Sequence, residues 1–324
     1  MIPATHPRPR DGSRLLVIGD GLADHRVADL PALLSPGDLL VVNDAFTLPA
    51  SIRGVHAGTV VELRLAQAPD EREEAPAVVF GPGSWRDRTE DREDPPPLAP
   101  GDVIETDAGP IGVVGQDADH PRLLRVHVPE AVLWDEGRPV QYSYLDRPLR
   151  LAEVQTAYAT RPWAVEMPSA GRPLGLALQQ RLRANRIGVV ALTHAAGLSS
   201  TGDAALDAAL PLPERYAVPP ATWEAVGEAR RVVAVGTSVV RALESAVDGA
   251  LSGTTTLRVG PATSLRVVDA LMSGMHEPGE SHFAMMEAFR PRHELMRAHA
   301  HATHQGYRNH EFGDSTLLFR HRAR

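Results

Sequence analysis

Residues 230–246 read RRVVAVGTSVVRALESA, and this stretch decides the fold class. Val232 to Val235 is a short, fully apolar run rich in β-branched residues, the texture of a strand buried on both faces. It passes through Gly236-Thr237-Ser238 directly into a helix over Ser238 to Val247. A strand feeding a helix through a tight turn is the unit of an α/β sheet covered on both sides. The free N–H groups at such a helix start can hold an anion, and Thr237 or Ser238 is expected to cap it. Arg241 and Glu244 sit one turn apart on the same helix. An ordinary capped strand-to-helix turn would read the same way.

Working outward, the same texture recurs. Ile187 to Leu192 is an apolar strand after a helix over Leu174 to Arg186, and a helix over Pro220 to Ala229 precedes the Val232 strand. Helices are expected over Ser281 to Phe289 and Arg292 to Thr303, and a last strand over Thr316 to Phe319. At the other end, strands are expected at Arg14 to Ile18 and Leu39 to Val42, the latter ending at Asn43-Asp44. Between these pieces the pattern changes. VVELRLA, residues 60–66, alternates apolar with polar, and Ala77 to Phe80, Asp102 to Thr106, Ile111 to Val114 and Leu123 to Val128 are further short runs between Gly, Pro and Asp. Closely spaced short strands predict a small antiparallel barrel or sandwich. The expected architecture is an α/β body from residues 1–55 and 149–324, with a β-rich domain inserted at 56–148. The loop RDRTEDREDPPP, residues 86–97, is too charged and Pro-rich for a core and is expected to be mobile.

Bulk composition narrows the function. The 324 residues contain no cysteine, which excludes disulfides, thiolate nucleophiles and Cys-based metal clusters. The start, MIPATHPRPRDGSRLLVI, lacks the apolar run of a signal peptide, and no apolar stretch is long enough to span a bilayer, so a soluble cytoplasmic protein is expected. The net charge of −8 speaks against a broad basic nucleic-acid face, although a local patch can still grip one RNA hairpin. Gly-rich dinucleotide and phosphate-loop fingerprints are absent, and the histidines between His293 and His310 match no zinc spacing.

Polar residues at strand ends are the site candidates. Asn43 and Asp44 close one apolar strand and His194 closes another, where α/β proteins gather ligand groups. Asn-Asp also makes ordinary turns, and a histidine there is more often structural than an acid or base. Pro168-Ser169-Ala170-Gly171 is a tight loop feeding a helix, and His276-Glu277 precede a Pro turn.

Taken in order, SRLLVI, PGDLLVVNDAFTLPASIRG, VQTAYA, MPSAG, RVVAVGTSVVRALES, RVVDALMSGMHEP and GYRNHEFGDSTLL resemble the S-adenosylmethionine:tRNA ribosyltransferase-isomerase family from Ser13 to Leu318. The resemblance implies an α/β barrel-like body with an inserted antiparallel β-barrel. It implies transfer of the ribosyl part of S-adenosylmethionine to 7-aminomethyl-7-deazaguanine in tRNA, with loss of methionine and adenine and no metal or redox cofactor. On the matching positions it points to Asp44, His194 and His276 as proton-transfer groups in one cleft. It points to Asn43, Ser169, Gly171, Gly236, Thr237, Ser238, Arg241 and Glu244 as the S-adenosylmethionine site, with Arg241 assisting the carboxylate. The family's PTAGLHFT stands here as PSAGRPLG, residues 168–175, without its histidine. In the turn after His276, Gly279-Glu280 replace a Lys-Ser pair, so a weaker hold on tRNA is expected. A paralogue using S-adenosylmethionine on a small-molecule acceptor, and a non-catalytic homologue that binds an adenosyl ligand, are the other readings open at this point.

Overall fold

The computed structural model describes residues 1–321; residues 322–324, counted in the expected body, lie outside them. Two sheets organise the chain. One is a closed six-stranded antiparallel barrel. The other is a nine-stranded sheet whose middle is parallel. This mixed α/β architecture with a barrel inserted near the start is the fold class that the sequence texture predicts.

The barrel strands are Ser51–His56, Thr59–Leu65, Glu74–Phe80, Val103–Thr106, Gly109–Gln116 and Leu123–His127. Alternate residues fill its interior: Ile52, Val61, Leu63, Ala77, Val79, Ile104, Ile111 and Val126 are all buried. Closure leaves no unpaired strand edge to cover. Ser51–His56 pairs with Thr59–Leu65 along its whole length, so the barrel already includes residues that texture alone assigns to the body. We propose a two-domain division with the insert starting near Ser51 rather than at residue 56.

The charged loop 86–97 departs from expectation. Arg92 folds back onto the barrel, with its side chain only 2 % exposed. It donates to Glu62 Oε2 at 2.7 Å and to the Gly81 carbonyl at 2.7 Å. Glu62, buried, also receives Arg64 Nε at 2.7 Å. Burial raises the Glu62 pKa, but the two guanidiniums outweigh it and hold the carboxyl below its ordinary value. One arginine thus anchors a segment whose composition reads as mobile.

In the body sheet, Asp38–Asn43 lies at the centre, flanked in parallel by Gly188–His194 and Arg231–Val235. Ala270–Gly274 continues the parallel set beside Arg231–Val235. Ser315–Phe319 then runs antiparallel to it, and Arg14–Ile18 follows. Side-chain alternation splits the core in two. Leu39, Val41, Leu192, Ala234 and Leu271 face the Thr237–Ala246 helix. Leu40, Val42, Val233, Val235 and Met272 face the other way, with Leu174 and with Leu178 and Leu182 of the Leu176–Ala184 helix. No helix among the described residues is long and apolar enough to cross a membrane.

Candidate active site

The four parallel strands end side by side. From one side to the other, that edge presents Thr193-His194, Asn43-Asp44, Gly236-Thr237 and Gly274. The start of Ser315–Phe319 joins it, because Gly274 pairs with Ser315. Carboxyl ends of parallel strands form the ligand-binding edge of open α/β sheets.

Asn43 ties the edge together. Its Oδ1 accepts from the His194 N–H at 3.0 Å and its Nδ2 donates to the His194 carbonyl at 2.9 Å. This side chain extends the sheet ladder by one rung. Its Nδ2 also reaches Ser238 Oγ at 3.3 Å, linking two expected ligand residues to each other.

Asp44 points to the opposite face. It accepts from Thr193 Oγ1 at 2.6 Å and Thr160 Oγ1 at 2.9 Å. Thr193 and His194 are neighbours on one strand and therefore project to opposite sides. His194 goes to the helix side, where it is fully buried, with Nε2 3.5 Å from Glu214 Oε2. Neither ring nitrogen has a hydrogen-bond partner. Burial first, and then the Arg241 cation, push its pKa down to about 3, so the imidazole is neutral. Asp44 and His194 are adjacent in the sheet and do not share a cleft.

His276 lies in the turn just past Ala270–Gly274, a strand three places along the sheet from the one that carries His194. Its Nε2 is 2.7 Å from Ser273 Oγ, and its Nδ1 is 3.6 Å from Glu280 Oε2. Its ring stacks on His282 at 4.8 Å. Glu280, expected only to weaken RNA binding, is thus a partner of the candidate acid. The fold brings Asn43 and Ser238 together and Asp44 beside them; it does not join Asp44, His194 and His276 into one cluster.

The helix after Gly236 begins at Thr237, with Gly236 itself as its N-cap at φ 101° and no side-chain cap. Neither Thr237 nor Ser238 caps it, because the helix starts one residue earlier than its apolar pattern predicts. Arg241, expected to meet a ligand carboxylate, forms a buried ion pair with Glu214 and donates Nε to the Leu257 carbonyl at 2.8 Å. Glu214 completes its own shell by accepting from the Gly197 N–H at 2.7 Å. Glu244 turns away to the 266–268 segment, accepting from the N–H groups of Arg266, Val267 and Val268 at 2.8–3.0 Å. Both residues are committed inside the protein because their non-local partners outcompete the i, i+3 neighbour.

Ser169 and Gly171 lie in the turn Ser169–Gly171. Tyr158 donates to the Gly171 carbonyl at 3.1 Å, and a Cβ on Gly171 would come 2.1 Å from the Tyr158 oxygen. Ser169 lines a shallow cleft with Arg172, Gly274, His310, Glu311 and Ser315. Arg172 and Glu311 belong to no strand-end motif, and the sequence reading did not single them out. No group of three His, Asp or Glu side chains among the described residues is placed to hold a metal.

An open sheet with polar groups gathered at the carboxyl ends of its parallel strands, together with a closed antiparallel barrel, defines a mixed α/β protein. The chain belongs to the queuosine biosynthesis protein family, whose model matches residues 1–318. It is similar to proteins named S-adenosylmethionine:tRNA ribosyltransferase-isomerase. The one from Azoarcus sp. is 34 % identical, over 96 % of this chain and 92 % of that protein. Those from Methylobacterium sp. and Thermus thermophilus are each 33 % identical, over 98 % and 96 % of this chain and 94 % and 93 % of theirs. The fold is similar to the crystal structure of S-adenosylmethionine tRNA ribosyltransferase from Thermotoga maritima. The TM-score is 0.53 at 22 % identity, over 98 % of this chain and 96 % of that one.

Proposed function

We propose that the chain transfers and isomerises the ribosyl group of S-adenosylmethionine onto 7-aminomethyl-7-deazaguanine in tRNA, giving epoxyqueuosine, adenine and methionine. The observation that carries this reading is the family match over residues 1–318, with relatives named for the reaction over nearly their full length. The acceptor amine attacks the ribose 5′ carbon and the sulfonium leaves as methionine. Loss of a proton then drives the rearrangement that expels adenine.

Asp44 is the candidate base. It is half-buried at the ligand edge, and two hydroxyls fix the direction of its oxygens. His276, held between Ser273 and Glu280, is the candidate acid for the departing adenine. His194 is enclosed and neutral, which suits a structural neighbour of the Glu214–Arg241 pair rather than a group that meets substrate. The tRNA substrate places the protein in the cytoplasm, and the reaction as written needs no metal. A chain of net charge −8 is expected to hold tRNA by a local patch and with modest salt dependence.

The test is incubation with S-adenosylmethionine and tRNA bearing the deazaguanine, followed by nucleoside mass spectrometry and an assay for free adenine. Epoxyqueuosine with stoichiometric adenine is expected. Absence of both would refute the reading.

A further inference from the structure

The cleft beside Ser169 is lined by two ionisable side chains, Arg172 and Glu311, each with a buried polar atom that has no partner among the described residues. Arg172 is 7 % exposed, yet its guanidinium donates no hydrogen bond and meets no carboxylate within 4 Å among the described residues. Its plane lies over the Phe312 ring at 4.9 Å, which limits how the fork can turn. The neighbouring acids are already taken. Asp314 accepts from Arg8 Nη2 at 2.8 Å and from the N–H groups of Arg14 and Arg308 at 3.0 and 2.9 Å. Glu153 is bound by Arg147 through both oxygens. Arg10, which donates to the Arg172 and Gln155 carbonyls, adds positive field. Burial, then Arg10 and Arg8, bring the Arg172 pKa down to about 10 against a smaller opposing pull from Glu153, so it stays charged at neutral pH.

Glu311 is the complementary case. Its Oε2 is shut from solvent and has no partner among the described residues. Burial pushes its pKa up to about 7. It lines the same cleft as Arg172, but no ion pair joins the two among the described residues. A buried Nε donor and a buried Oε2 acceptor left without partners are each costly, and both costs fall when a partner arrives.

A ligand that satisfies both carries an anion for the guanidinium and a cation for the carboxyl, as an α-amino acid head group does. The guanidinium fork matches a carboxylate with two parallel hydrogen bonds, and the carboxyl accepts from an ammonium. We propose that this cleft binds the α-amino acid end of S-adenosylmethionine, with Arg172 on the carboxylate and Glu311 on the ammonium. The proposal rests on the functional reading above, and it moves the carboxylate from the Gly236 helix start to Arg172. The two positions adjoin: a Cβ on Gly236 would lie 3.5 Å from the Ala170 side chain on the rim of the cleft. A ligand seated in the cleft can therefore extend to the strand-end edge.

The experiment is calorimetric titration of the full chain with S-adenosylmethionine and with its decarboxylated form, which keeps the ammonium. The wild type should prefer S-adenosylmethionine by about 10- to 100-fold, the usual worth of a charge-assisted pair. Arg172→Met should abolish that preference while leaving affinity for the decarboxylated form unchanged, which also reports an intact fold. Glu311→Gln should weaken both ligands. A wild type that binds the two forms equally overturns the proposal without any variant, and so does Arg172→Met with its preference intact. A wild type that binds neither form and releases no adenine overturns the functional reading, and this proposal with it.

Discussion

Arg241→Met tests whether the arginine of the Gly236 helix is structural. In the native chain its guanidinium and the Glu214 carboxylate are nearly enclosed, at 5 % and 6 % residue exposure. Methionine keeps much of the volume but leaves Glu214 with the Gly197 N–H as its remaining donor. Removing one partner of a buried pair costs about 3–5 kcal/mol, because the other charge stays desolvated. At about 2.1 cal/mol/K per residue, a chain of 324 residues has an unfolding entropy near 0.7 kcal/mol/K. The expected drop in Tm is therefore about 4–7 °C. The double variant Arg241→Met/Glu214→Leu removes both charges and should recover most of the loss. Scanning calorimetry and guanidinium titration give the numbers. A single variant that melts with the wild type, or a double variant that melts lower still, would show that the pair does not behave as a buried charge couple.

Three further outcomes are expected. Gly171→Ala places a methyl 2.1 Å from the Tyr158 oxygen and should cost about 1–3 kcal/mol of stability, read as a lower urea midpoint at constant slope. Asp44→Asn should lower kcat for adenine release about 10²- to 10⁴-fold with Tm within a few degrees of wild type; an undiminished kcat would remove Asp44 as the base. The pH dependence of stability should show two opposing terms. His194, near 3 when folded against 6.5 unfolded, contributes stability that is lost as pH falls below 6.5, about 2 kcal/mol by pH 5. Glu311, near 7 against 4.5, contributes stability that is present at low pH and lost as pH rises toward 7, also about 2 kcal/mol. Between pH 8 and 5 the two nearly cancel, so His194→Gln should gain stability on acidification and Glu311→Gln should lose it. Parallel pH curves for the three proteins would refute both assignments.

Much of the sheet was legible because burial on both faces leaves a local trace. Leu39 to Val42 and Val232 to Val235 are apolar at every position, and they become neighbouring strands in the middle of the body. The strand Ala270–Gly274 left no such trace. Its residues, ALMSG, carry no β-branched side chain, and their extended form comes from two flanking strands. Ser51–His56, reading SIRGVH, likewise becomes a barrel strand only through its partner. Asn43, Asp44 and His194 were singled out as candidates because they close apolar runs. That Asp44 and His194 face opposite ways depends on how the two strands align, a property of no single strand.

The sequence by itself determined the elements that carry a local pattern, the α/β and barrel textures, and the ordered motifs that place the chain in its family, because periodicity and motif order are properties of contiguous residues. Tertiary structure decided which charges meet. Arg241 and Glu244, a natural pair along a helix, separate to Glu214 and to the 266–268 backbone. Arg172 and Glu311, 139 residues apart, come to line one cleft, with Arg172 Nε and Glu311 Oε2 left without a partner among the described residues. A charge is satisfied or left waiting by desolvation and by whatever lies within about 4 Å of it. Those neighbours come from distant parts of the chain, so only the folded arrangement fixes them.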